Sequence, residues 1–114
     1  MISKEYYFKE GCFIEEWHNS PEHEDMSIAR VRVEGNTETR LHALTGTTER
    51  YVILSGQGMV TVGEKSWLVT VGDVVVIPAE QAQKILNQED QDLIFFAICT
   101  PRFKEENYIE VDEA

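Results

Sequence analysis

Basic residues are scarce in this chain. Its 114 residues include ten Lys and Arg against twenty-one Asp and Glu, which gives a formal net charge of −11 at pH 7. A field of that sign repels the phosphate backbone of nucleic acids and the anionic surface of a membrane. We therefore expect neither nucleic acid nor membrane as a partner.

Cysteine is also scarce, and long apolar runs are missing. Cys12 and Cys99 are the two cysteines, far apart and without CxxC spacing, so both are interpreted as free thiols. No stretch approaches the roughly 18 apolar residues of a transmembrane helix, and the first residues lack the apolar core of a signal peptide. The expected location is the cytoplasm.

Short apolar runs dominate what is present. YVIL, MVTV, WLVTV, VVVI and LIFFAIC follow one another, most of them ended by Gly, Ser, Asp or Pro. Strands of this length must pair with several neighbours to cover their apolar faces. The pattern predicts an all-β fold, an antiparallel β-barrel or sandwich, with LIFFAIC as a central strand because it is apolar on both faces.

The length is that of a single domain. We predict one domain over residues 1–114, with an N-terminal arm and first strand at 1–26, the barrel core at 27–99 and a C-terminal tail at 100–114. The arm carries the aromatic run YYF at residues 6–8. Because one small barrel has little surface with which to bury such an arm, we expect a homodimer.

Polar side chains recur on one face of the predicted strands. The two-residue alternation of a strand puts Arg40 and His42 on one face of their strand, and Glu49 and Tyr51 on one face of the next. Gln83 is the first residue on one face of a later strand. If these faces look inward, the five residues line a pocket for a small polar or anionic ligand such as a sugar or an organic acid. Attraction between His42 and Glu49 predicts a pKa of His42 above the ordinary value of about 6.5.

Residues 35–87 resemble the two sequence motifs of the cupins, and in particular of small single-domain cupins of the RmlC-like superfamily. The first motif, G-x5-H-x-H-x3,4-E-x6-G, is similar to the stretch with Gly35, His42, Leu44, Glu49 and Gly56. The second motif, G-x5-P-x-G-x2-H-x3-N, is similar to the stretch with Gly72, Pro78, Glu80, Gln83 and Asn87. The resemblance implies a double-stranded β-helix, also called a jelly roll.

The resemblance also implies a metal site, since metal-binding cupins hold the ion with three His and one Glu. In this chain His42 and Glu49 stand at ligand positions, Leu44 replaces the second His, and Gln83 replaces the third. One imidazole, one carboxylate and one amide would hold Zn, Ni, Fe or Mn weakly.

Three functions stay open from the sequence. The first is binding of a small molecule of unassigned identity in the pocket around His42, Glu49 and Gln83. The second is a metal-assisted enzyme similar to sugar-phosphate isomerases or dioxygenases of the family. The third is a metal-free isomerase or lyase in which His42 and Glu49 act as acid and base.

Overall fold

The computed structural model describes residues 2–113. Its strands are Tyr6–Phe8 (β1), Cys12–Ser20 (β2), His23–Val33 (β3), Thr37–Glu38 (β4), His42–Leu44 (β5), Thr48–Ser55 (β6), Gln57–Val62 (β7), Lys65–Thr70 (β8), Val74–Ile77 (β9), Gln83–Asn87 (β10), Leu93–Thr100 (β11) and Tyr108–Glu110 (β12). A short 3-10 helix spans Glu105–Asn107. No helix within the described range is long and apolar enough to cross a membrane.

The strands form two antiparallel sheets. The first has the order β1-β2-β3-β11-β6-β9, and the second has the order β12-β5-β10-β7-β8 with β4 paired to β10. The all-β prediction is confirmed, and the arrangement is that of a jelly roll. Strand β11, which carries LIFFAIC, lies between β3 and β6 as a central strand.

Alternating apolar side chains explain how the sheets pack. In β11 every second residue, beginning with Leu93, is buried, and the same holds for Val75 and Ile77 of β9. These side chains meet those of the opposite sheet in one core, which buries Phe95, Ile53, Ile85, Val33 and Val60 almost completely. A second, smaller apolar cluster consists of Phe8, Leu44, Cys99 and Tyr108.

The N-terminal segment belongs to the first sheet. Strand β1 pairs with β2 and β2 pairs with β3, and β3 already begins at His23, ahead of the predicted core boundary at residue 27. Phe8 is buried against the chain's own core, whereas Tyr7 remains 63% exposed. The homodimer stays a prediction.

Asn87, the last residue of the second motif, has a structural role. Its side-chain amide donates to the backbone oxygens of Val33, Glu34 and Gln91, and its Oδ1 accepts from the backbone N–H of Glu89. A fully buried amide with these partners ties the turn after β10 to the end of β3.

Candidate functional site

The inward polar residues surround a small cavity between the sheets. Four of the predicted residues are buried: His42 on β5, Glu49 and Tyr51 on β6, and Gln83 on β10. The cavity encloses about 40 Å³ of space that the centre of a water molecule can occupy, enough for about three waters. Its wall includes His42, Glu49 and Tyr51, with apolar side chains such as Leu44, Val31 and Phe95 around them. We call it the site cavity.

Arg40 does not line the site cavity, which corrects the expectation from strand alternation. Its side chain is 70% exposed and its guanidinium lies 3.8 Å from the carboxylate of Glu110. The reason is that β5 begins only at His42, so the alternation of a strand does not extend back to Arg40.

The backbone of Arg40, in contrast, organises the site. Its carbonyl oxygen lies 2.7 Å from Nδ1 of His42, and its N–H donates to the carbonyl oxygen of Glu10 at 2.7 Å. Since a carbonyl only accepts, Nδ1 of His42 carries the proton and Nε2 of the neutral ring presents a lone pair.

Glu10 is a site residue that the sequence did not reveal. It lies in the turn between β1 and β2, its side chain is only 13% exposed, and its Oε1 is 3.6 Å from Nε2 of His42. It also lines the site cavity. Among twenty-one acidic residues, neither spacing nor motif distinguishes it, because only the tertiary fold brings the turn to β5.

The carboxylate beside His42 is thus Glu10, and the predicted ion pair of His42 with Glu49 is corrected. The predicted rise of the His42 pKa is also wrong in direction. Burial lowers the pKa of His42 below 6.5, and this effect outweighs the hydrogen bond to the Arg40 carbonyl and the attraction of Glu49.

Glu49 is held by a chain of hydrogen bonds that crosses from one sheet to the other. The hydroxyl of Tyr51 donates to Oε1 of Gln83 at 2.5 Å, and Nε2 of Gln83 donates to Oε1 of Glu49 at 2.9 Å. The thiol of Cys99 lies 3.7 Å from Oε2 of Glu49 and donates to it. Gln83 therefore positions Glu49, and both the oxygen and the nitrogen of its side-chain amide are already hydrogen-bonded.

Both site carboxyls hold their protons unusually tightly. Burial raises the pKa of Glu10 to about 7. Burial, with repulsion from Glu10 as the next cause, raises the pKa of Glu49 to about 7. Two neighbouring buried carboxyls resist ionising together, so near neutral pH the pair is partly protonated.

The metal implied by the resemblance does not fit these side chains. Leu44 supplies only carbon atoms to the cavity wall, and Gln83 is bonded to Tyr51 and Glu49. Across residues 2–113 no group of three or more His, Cys, Asp and Glu side chains is arranged to hold a metal ion. The candidate ligand set of His42, Glu49 and Gln83 therefore lacks the converging donors that a bound divalent ion needs.

Tyr108 of β12 closes the site behind His42. The two rings stack with centroids 5.0 Å apart and planes inclined by 18°, and the edge of Phe8 meets Tyr108 at 5.2 Å. Tyr108 is 6% exposed, and its hydroxyl has no hydrogen-bond partner within the described chain. A buried hydroxyl without a partner costs stability.

We expect Tyr108→Phe to raise the free energy of unfolding by about 1 kcal/mol, because the ring stays and the unpaired hydroxyl goes. The matched control is Tyr51→Phe, which removes a hydroxyl bonded to Gln83 and should lower stability by about 1–3 kcal/mol. Urea unfolding at pH 7 measures both. An equal loss of stability in the two variants would contradict the interpretation that the Tyr108 hydroxyl is buried without a hydrogen-bond partner.

This chain was compared with known protein families and relatives. A family model described as a cupin domain matches residues 29–99, more than half of the chain. An uncharacterised protein of Methanocaldococcus jannaschii is 28% identical over 106 residues, which cover 91% of this chain and 85% of the relative.

Solved structures agree with that match. A Thermotoga maritima protein described as a predicted oxalate decarboxylase is 26% identical, with a TM-score of 0.75 over 88% of this chain and 93% of the other. Pac13 of Streptomyces, described as a nucleoside dehydratase, is 16% identical, with a TM-score of 0.80 over 96% of this chain and 84% of the other. The likeness to Pac13 concerns the fold alone. From the extent of the family match, the chain belongs to the cupin family.

Proposed function

We propose that this cupin binds a small polar molecule in the site cavity and moves protons on it without a metal, as a lyase or an isomerase. The observation that carries the proposal is the convergence of one imidazole and two buried carboxyls, His42, Glu10 and Glu49, on a small cavity with a largely apolar wall. Binding pockets combine a few oriented polar groups with apolar walls in this way.

The ionisation states of the three groups suit proton transfer. Because burial raises the pKa of each carboxyl to about 7, protonated and ionised forms coexist near neutral pH. A general acid or base works best when its pKa lies near the working pH. His42 is kept neutral by the burial that lowers its pKa, so its Nε2 is free to accept a proton.

The fold is compatible with such chemistry. Pac13 is described as a dehydratase, and a dehydratase moves protons as it eliminates water. At 16% identity that likeness supports no substrate for this chain, but it supports elimination as a reaction that a barrel of this shape accommodates.

Proton exchange tests the proposal across a range of candidate substrates. A panel of small hydroxy-carbonyl compounds, dihydroxyacetone and glyceraldehyde among them, is incubated with the protein in D₂O and followed by proton NMR. We expect deuterium to enter beside the carbonyl, or a hydroxyl to be eliminated, faster than without protein. His42→Gln should slow this at least ~100-fold, since general bases contribute about that much.

Ligand binding without chemistry is the second candidate. The hydrogen bonds that already engage Gln83 and Glu49 favour it, because they hold polar groups of the site in fixed positions. Saturable binding of a panel compound, with neither exchange nor elimination for any of them, would establish this candidate in place of the first.

A further inference from the structure

We propose that Glu10 and His42 are the acid and base of the site, and that their substrate is a neutral molecule with a hydroxyl beside a carbonyl. This inference rests on the proposed function and assigns its residues and substrate class. Of the polar or anionic ligands expected from the sequence it selects the neutral polar class, and it replaces Glu49 with Glu10 as the partner of His42.

The geometry of His42 supports its role as base. Its Nδ1 proton is engaged by the Arg40 carbonyl at 2.7 Å, so only Nε2 can take a proton from a ligand. That atom points toward Oε1 of Glu10 at 3.6 Å, slightly longer than a direct hydrogen bond. The two atoms can therefore both approach one small ligand group.

Glu10 is better placed than Glu49 to act as the acid. Glu49 accepts hydrogen bonds from Gln83 and Cys99, which fixes its orientation and favours its ionised form. The described contacts of Glu10 are its approach to His42 and a hydrogen bond with Cys12. Glu10 is thus the carboxyl that lies beside Nε2 of His42, at 3.6 Å, whereas both oxygens of Glu49 are already engaged by Gln83 and Cys99.

The proton transfer balances within this pair. Nε2 of His42 takes the proton from the carbon beside the carbonyl, and that C–H electron pair forms a carbon–carbon double bond. The carbonyl π electrons move to oxygen, which takes the proton of the Glu10 carboxyl to give an enediol. The pair has then become imidazolium and carboxylate, which attract each other. The imidazolium gives its proton to either carbon of the double bond, and the carboxylate takes the proton of the hydroxyl on the other carbon, whose O–H electron pair forms the carbonyl.

The charge of the cavity selects a neutral substrate. Its wall carries three carboxyls, Glu10, Glu16 and Glu49, and within the described chain neither Lys nor Arg lines it. The cations next to Glu10 and His42 in the sequence have other contacts: Arg40 lies beside Glu110, and Lys9 lies over the Tyr108 ring at 4.8 Å. An anion entering this cavity would lose its hydration without gaining a counter-charge.

A matched pair of probes tests the substrate class. Dihydroxyacetone and hydroxypyruvate have nearly the same size and both carry a hydroxyl beside a carbonyl, but only hydroxypyruvate is an anion. We expect dihydroxyacetone to shift the His42 ring signals in NMR at concentrations at least ~10-fold lower. Tighter binding of hydroxypyruvate, or no response to dihydroxyacetone, would overturn the assignment of a neutral substrate.

Variants of two glutamates test the role of Glu10. Glu10→Gln keeps the side-chain size and should reduce deuterium exchange into dihydroxyacetone at least ~100-fold, while the His42 Nδ1–H signal shows that the ring is still bonded to Arg40. Glu15→Gln, on the same segment but outside the cavity wall, should leave exchange unchanged. Unchanged exchange in Glu10→Gln would refute Glu10 as the acid, whereas binding without any exchange in the wild type would refute the proposed function itself.

Discussion

The protein should be more stable at pH 5 than at pH 8, by roughly 1–4 kcal/mol. The expectation follows from Glu10 and Glu49, whose pKa rises from an ordinary 4.5 to about 7 on folding. Each such shift corresponds to about 3 kcal/mol. Because part of the Glu49 shift comes from repulsion by Glu10, the two contributions do not add in full.

The direction of the pH effect follows from proton binding. Between pH 4.5 and about 7 the folded protein holds protons that the unfolded chain has released, so stability falls as the pH rises through this window and levels off above it. His42 acts in the opposite sense, because burial lowers its pKa and its unfolded form binds protons below about 6.5. His42 therefore makes the loss of stability between pH 5 and pH 8 smaller without reversing it, since two carboxyls oppose one imidazole.

The variant Glu49→Gln isolates the contribution of the buried carboxyls to the pH dependence of stability. It removes one titrating carboxyl and its repulsion of Glu10, so the difference in unfolding free energy between pH 5 and pH 8 should shrink by at least half. Glu64→Gln, at an exposed turn, is the control and should retain the wild-type difference. Urea unfolding at several pH values measures all three proteins. A wild type that is equally stable at pH 8 would contradict the burial of these carboxyls.

What the sequence could predict was local. The two-residue alternation of a strand depends only on neighbouring residues, so it placed Glu49, Tyr51 and Gln83 on buried faces and predicted LIFFAIC as a central strand. The cupin motifs likewise lie within continuous segments. Sequence alone was therefore sufficient for the fold and for the strands that carry most of the cavity wall.

What the sequence could not predict depends on distant contacts. Glu10 reaches the cavity because the turn at Gly11, with φ of 102°, is joined to Arg40 by a backbone hydrogen bond. The pKa of His42 depends on whether desolvation or attraction to a carboxylate is stronger, and that balance is set by how completely the fold buries the imidazole ring. The exposure of Arg40 depends on where β5 begins, a boundary that alternation does not define.

Histidines at positions 44 and 83 should convert the site cavity into a metal centre. Leu44 lines the cavity beside His42 and Glu49, and the Gln83 amide lies 2.9 Å from Glu49, so both side chains are already directed toward the site. Leu44→His with Gln83→His would provide three imidazoles and a carboxylate, a donor set that binds nickel or zinc firmly.

We expect the double variant to retain about one nickel or zinc per chain through gel filtration, and the wild type to retain at least ~10-fold less, because each lost imidazole weakens the donor set. Leu68→His, at a position 56% exposed on β8, adds a histidine away from the cavity and should behave as the wild type does. Elemental analysis after purification without chelator gives the metal content. If the wild type retains as much metal as the double variant, its donors are sufficient as they stand, and the metal-independent chemistry proposed for His42 and Glu10 has to be abandoned.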